Sequence, residues 1–217
     1  DAVADDRDLR ETYLPQFGMA VREGGALSVM CAYNRFRGEA ACASPTLLDE
    51  ILRKEWGFGG YIVSDCGAID DIYRTHKLVK TAAEASAMSV KAGCDLECGN
   101  SYRSLVDAVK KGLITEAEID VAVRRLFTAR FRLGMFDPPA MVPWSKLTAA
   151  DVDGPADQAL AHEAALKSMV LLKNEGGLLP FRATRGTIAV IGPNAADTDV
   201  LLGNYNGTPA APVSVLE

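Results

Sequence analysis

The apolar positions of this 217-residue chain change period along its length, and each change predicts an element. Leu27 to Tyr33 is an almost unbroken apolar run of strand length. Tyr61 to Val63 is another, and it ends in Ser64 and Asp65. Runs of this kind read as parallel-sheet strands buried on both faces. Between them, Pro45 to Trp56 reads as a helix, with Ser44 as N-cap, Pro45 at the first helical position and Gly57 past the end. Thr81 to Ala92 is an Ala-rich helix closed by Gly93, Asp95 to Glu97 is a short strand, and Tyr102 to Lys111 is a helix ended by Gly112. Thr115 to Leu133 carries the clearest helical pattern. Thr115 and Glu118 form a capping box, and Ile119, Ala122, Val123, Leu126, Phe127 and Leu133 share one face. Alternation of strands and helices predicts an α/β fold with a parallel sheet.

Asp137-Pro138-Pro139 then breaks the pattern, and Pro143 follows, so residues 137–154 read as a linker. Pro155 to Lys167 is expected to be helical. Thr187 to Ile191, bounded by Gly186 and Gly192-Pro193, is expected to be the first strand of a second α/β domain. The chain shows no internal repeat and no low-complexity segment.

A net charge of −6 argues against a nucleic-acid partner, because binding a phosphate backbone needs clustered Lys and Arg. The densest basic group, Arg124, Arg125, Arg130 and Arg132, reads as a solvated helix face. No apolar run approaches a membrane span. Residues 1–10 are acidic and polar, with no visible signal peptide, and the chain is expected to begin inside a longer protein. The five cysteines include no Cys-x-x-Cys pair, and neither His76 nor His162 lies near Cys94 and Cys98, so no metal site is expected. Disulfides and an oxidising compartment are the better expectation, with one thiol left over. Asn206-Gly207-Thr208 is a formal glycosylation sequon that reads first as an Asn-Gly turn.

Candidate chemistry concentrates at Asp65. A carboxylate at the carboxyl end of a buried parallel strand is where α/β barrels keep their reactive groups, although Asp65 capping the next helix is an equal alternative on these residues alone. Asp70, Asp71, Asp95 and Glu97 are rival carboxylates, for which solvation, helix capping or a structural hydrogen bond is the simpler role.

The ordered set around Asp65 is more specific. It runs through Ser28-Val29-Met30-Cys31-Ala32-Tyr33-Asn34, Gly38, Leu47-Leu48, Arg53 to Phe58, Gly60 to Gly67 and Gly93 to Gly99. It continues through Val170 to Asn174, Leu178 to Pro180, Ile188 to Pro193 and Leu202 to Pro209. In this order and spacing the chain resembles glycoside hydrolase family 3, in particular its β-xylosidase branch. The resemblance implies the C-terminal part of a (β/α)8 TIM-like barrel over residues 1–136, a linker over 137–154, and the beginning of an α/β sandwich domain over 155–217. It also implies that the chain is a fragment of both domains.

The implied activity is that of a retaining, exo-acting β-glycosidase that releases xylose from xylo-oligosaccharides. The alternatives are a β-glucosidase, an α-L-arabinofuranosidase, or a non-catalytic sugar-binding relative. Retaining enzymes use two carboxylates roughly 5 Å apart. The resemblance makes Asp65 the nucleophile and puts the acid/base Glu beyond residue 217. Glu163 and Glu175 fall on structural elements.

By the same resemblance Cys66 pairs with Cys98 beside the sugar subsite, where other branches carry Trp. Apart from the resemblance, Cys31 and Cys42 flank a short turn where a second bridge is expected, which leaves Cys94 as the odd thiol. Tyr33 matches a residue near that subsite, with simple packing as the alternative. No cofactor is implied, the partner is a small oligosaccharide or glycoside, the oligomeric state is open, and the compartment is secreted or periplasmic. Arg37, Ala40 and Gly59 depart from the family's usual Asn, Pro and Asp at turns. A nucleotide-binding domain, suggested by Ile188 to Gly192, lacks the Gly-x-Gly-x-x-Gly that would support it.

Overall fold

The computed structural model describes residues 1–181, 187–209 and 211–217. It divides into two compact units, 1–142 and 143–217.

The first unit is α/β. Strand β1 (Ser28–Cys31) pairs in parallel with β4 (Tyr61–Ser64), and Leu96 bridges to Val63 on the far side of β4, again in parallel. Between β1 and β4 the chain makes a small hairpin, β2 (Arg35–Phe36) and β3 (Glu39–Ala40), and a helix with π-type hydrogen bonding (Thr46–Glu55). Helix α1 (Pro15–Arg22) precedes β1, while α2 (Ala68–Arg74) and α3 (Ala82–Ala92) follow β4. Helices α4 (Leu105–Lys110) and α5 (Glu116–Arg132) follow Leu96.

Local signals set the helix ends. Ser44 Oγ accepts from the Leu47 amide, Thr81 pairs with Glu84 and Thr115 with Glu118 in full capping boxes, and Gly93 leaves α3 in the left-handed conformation at φ +109°.

The strands are covered on one face only. Ile62 and Ser64 of β4 are buried on the side packed with Leu48, Leu52, Ile69 and Ile72. The parallel register puts Cys31 beside Ser64 on this side, and Met30 beside Val63 on the other. On that other face Met30 is 59% exposed. Among the described residues the strands are therefore covered on one face and open on the other.

The apolar stripe of α5 is also only partly used. Ala122 is buried and Ile119 packs beside it, whereas Val123, Phe127 and Leu133 are exposed. Phe127 and Phe131 lie against Phe136, with ring centroids 5.9 and 4.6 Å away. The basic group on this helix is not uniformly solvated, since Arg125 reaches inward to Asp95.

The second unit contains α6 (Pro155–Ser168), begun by Pro155 as its sequence suggests. Residues Thr187 to Ile191 form no strand among the described residues, and Ile191 is 90% exposed. The cause is pairing: a strand exists only against a neighbour, and no described segment of this unit supplies one. The expected boundary residue Gly186 lies outside the described residues.

Candidate active site

Asp65 follows β4 directly. The last ladder contact is its amide, which donates to Cys31 O at 3.0 Å, so the carboxylate emerges where the sheet stops. Alternation along the strand places Asp65 with Tyr61 and Val63 on the open face. The carboxylate does not cap α2, whose N-cap is Gly67 with no side-chain hydrogen bond. Gly67 turns the chain at φ +83°, a conformation that favours glycine, and its amide donates to Cys98 O at 2.7 Å.

Two donors converge on one oxygen of Asp65. Tyr33 OH donates to Oδ1 at 2.9 Å and the Cys66 amide donates to the same atom at 2.7 Å. The Tyr33 hydroxyl also lies 2.9 Å from Cys66 O, so its proton is shared between the carboxylate and the backbone beyond it. Cys66 is bonded to Cys98, with Cα atoms 4.4 Å apart, and the Cys98 amide donates to Ser64 Oγ at 3.0 Å. The segment after Asp65 is thereby tied covalently and by hydrogen bonds to the end of the next parallel segment. Cys31 and Cys42 form the second disulfide, and Cys94 is a buried thiol. The structure thus brings Asp65, Tyr33, Cys66 and Cys98 together.

The rival carboxylates are engaged elsewhere. Asp95 has a fully buried side chain held by Arg53 at 2.6 Å and Arg125 at 3.1 Å, and it accepts from the Ile62 amide at 2.9 Å. Burial pushes its carboxyl up from the ordinary range against the pull of these partners, and it pushes the Arg53 guanidinium down. Glu97 accepts from the amides of Ser101 and Tyr102 at 2.8 and 2.6 Å. Asp70 takes the Ser101 hydroxyl, and Asp71 takes the Thr75 hydroxyl at 2.7 Å.

His76 lies just past the end of α2, and its Nε2 is 2.8 Å from Tyr33 O. No periodicity announces a contact across 43 positions, and only the folded chain reveals it. Arg37, at a position where the family's Asn would suit the turn, adopts φ +50° and is held by Asp6 at 2.7 Å and Ala4 O at 2.9 Å.

Comparison with known proteins bears on the whole chain. Residues 2–129 match the Glycosyl hydrolase family 3 N terminal domain, and residues 169–217 match the Glycosyl hydrolase family 3 C-terminal domain. A xylan 1,4-beta-xylosidase of Xylanibacter ruminicola is 43% identical over 213 residues, which cover 97% of this chain and 25% of the relative. A beta-xylosidase/alpha-L-arabinofuranosidase of Medicago sativa is 44% identical over 220 residues, covering 100% and 28%. Among solved structures, a GH3 exo-beta-xylosidase in complex with a xylobiose aziridine activity-based probe superimposes with a TM-score of 0.92 at 36% identity, over 99% of this chain and 28% of that one. A beta-glucosidase from Listeria innocua in complex with glucose superimposes with a TM-score of 0.82 at 32% identity, over 93% and 28%. The chain spans about a quarter of the length of the relatives it matches. On these matches, and with an aspartate held at the end of a parallel strand, the chain belongs to glycosyl hydrolase family 3.

Proposed function

We propose that this chain carries the nucleophile half of a retaining, exo-acting β-glycosidase whose substrates are β-xylosides at the non-reducing ends of xylo-oligosaccharides. The observation that carries the reading is the set of donors on Asp65. Tyr33 OH and the Cys66 amide both donate to Oδ1, which in this reading leaves Oδ2 as the attacking atom. Oδ2 then attacks the anomeric carbon, a bond forms between them, and the bond from that carbon to the leaving oxygen breaks. Water later cleaves the glycosyl ester and restores the carboxylate. The acid that protonates the leaving oxygen is a Glu in the part of the family's architecture that this chain does not span.

In this reading residues 1–136 are the last three strand–helix units of a (β/α)8 barrel, 137–154 a linker, and 155–217 the opening of an α/β sandwich. The parallel order of β1, β4 and Leu96 supports the barrel, as does an open face bearing Met30, Val63 and Asp65, which would be the barrel interior. The Cys66–Cys98 bridge braces the subsite wall, and Tyr33 adds a hydroxyl beside the sugar. Two disulfides support a secreted or periplasmic site of action. Activity on arabinofuranosides is the second reading, favoured by the dual name of the Medicago relative.

The test is covalent trapping. The full-length protein is incubated with an aryl 2-deoxy-2-fluoroxyloside and digested, and the labelled peptide is sequenced. The expected adduct is on Asp65. An adduct on Asp95 or Glu97, or none at all, would overturn the assignment.

A further inference from the structure

The mechanism leaves one contact at the site without a task. His76 Nε2 lies 2.8 Å from the carbonyl oxygen of Tyr33. A carbonyl only accepts, so Nε2 carries the proton and the imidazole is the donor. The backbone of residue 76 is held in its turn. His76 N–H and Thr75 N–H both donate to Asp71 O, at 2.7 and 3.0 Å, which fastens residue 76 to the end of α2. That helix is anchored by Ile69 and Ile72, both fully buried. Directly after His76 the chain turns through Lys77 at φ +55°, a conformation that costs a non-glycine residue about 1 kcal/mol and persists where surroundings impose it.

The position of Tyr33 bears directly on the nucleophile. Tyr33 lies two residues past the end of β1, where the ladder has stopped, and its side chain is half exposed. Its hydroxyl orients Asp65 Oδ1 at 2.9 Å, and a shift of the Tyr33 backbone by a fraction of an ångström would move it out of line. We infer that His76 is a positioning residue: it pins the Tyr33 main chain so that the phenol stays on the nucleophile. The inference rests on the glycosidase reading of Asp65, and it extends the site to a residue just past the end of α2.

The experiment is a double-mutant cycle in the full-length protein with His76→Leu, Tyr33→Phe and the pair, together with His76→Gln, which keeps an N–H donor of similar reach. The readouts are the first-order rate of Asp65 labelling by the fluoroxyloside, its half-saturating concentration, and the melting temperature. Loss of one neutral hydrogen bond predicts labelling slowed about 10-fold in His76→Leu. The half-saturating concentration should change far less, and Gln should recover most of the rate. In the Tyr33→Phe background, His76→Leu should cost no further rate, since its route to Asp65 is gone. Multiplicative losses in the double variant, or labelling of His76→Leu at the wild-type rate, would overturn the inference. So would an equal loss in His76→Gln and His76→Leu. Should Leu prevent folding, His76→Asn and His76→Gln complete the cycle. A wild-type protein that is not labelled at Asp65 sinks the glycosidase reading itself, and the positioning role with it.

Discussion

Asp65 follows β4 at its carboxyl end, whereas Asp95 hydrogen-bonds Ile62 near the amino end of the same strand. The two aspartates therefore mark opposite ends of one parallel segment. Asp65 meets a phenol and an amide, both uncharged, on the open face. Asp95, buried, meets the buried guanidinium of Arg53, the partly exposed one of Arg125 and an amide. A paired, buried carboxylate has no free oxygen to offer a substrate. A carboxylate oriented through one oxygen keeps the other for chemistry. On the proposed reading of Asp65, partner type and strand end, rather than residue type, separate a group used for reactivity from one used for stability.

Removing each carboxylate is the widest test of that contrast. Asp65→Ala should lower xyloside turnover by about 10⁴-fold or more, because no glycosyl ester can form. It should leave unfolding free energy within about 1 kcal/mol, the scale of the neutral hydrogen bonds lost. Asp95→Ala should do the reverse. It leaves the buried Arg53 charge uncompensated beside the partly exposed Arg125, a loss of about 3 kcal/mol of stability, while protein that remains folded keeps most of its turnover. Turnover assays and urea unfolding of both variants would decide, and the comparison breaks if Asp95→Ala is as stable as wild type or Asp65→Ala retains turnover.

How much of this was legible in sequence follows the range of each interaction. The capping box at Thr115 spans three residues and formed where the sequence signalled it, and a second formed at Thr81, the expected start of its helix. The strands at 28–31 and 61–64 announced themselves as apolar runs. Asp65 stood out because a strand end and a family resemblance met at one residue. Contacts over long separations were silent. Arg125 reaches Asp95 across 30 positions and His76 reaches Tyr33 across 43, and neither leaves a local pattern. Residues Thr187 to Ile191 have strand composition, but composition supplies no neighbour to pair with.

A finer test concerns the cysteine next to each aspartate. Cys66, beside Asp65, is bonded to Cys98 and braces the open end. If that brace narrows the sugar subsite, it disfavours the extra hydroxymethyl group of a glucoside. Replacing both with Ser should then raise the kcat/KM ratio of glucoside to xyloside by about 10-fold, within the 1–3 kcal/mol that a pocket extracts from one such group. An unchanged ratio with lowered stability would reduce the bridge to a structural role.

Cys94, beside Asp95, gives the smallest effect and tests how dry the other end is. Its sulfur is buried 3.8 Å from Cys31 Sγ, and burial pushes the thiol up to about 12 from an ordinary 9.0. Between those values the folded chain keeps a proton that the unfolded chain has lost. The contribution is therefore complete below about pH 9 and is lost as pH rises toward 12, with a slope of at most about 1.4 kcal/mol per pH unit. Tyr102, whose hydroxyl donates to Cys94 O at 2.7 Å, is raised by burial too and steepens the loss in the same direction. Thermal unfolding of wild type and Cys94→Ala at pH 8 and pH 10 separates the two groups. Wild type should lose more stability over that interval than the variant, which retains only the tyrosine's share. Native Cys94 should also resist iodoacetamide at pH 8. Equal losses in both proteins, or ready alkylation of the native thiol, would show that water reaches the amino end of β4. The contrast between the two aspartates would then be one of partners alone and not of burial.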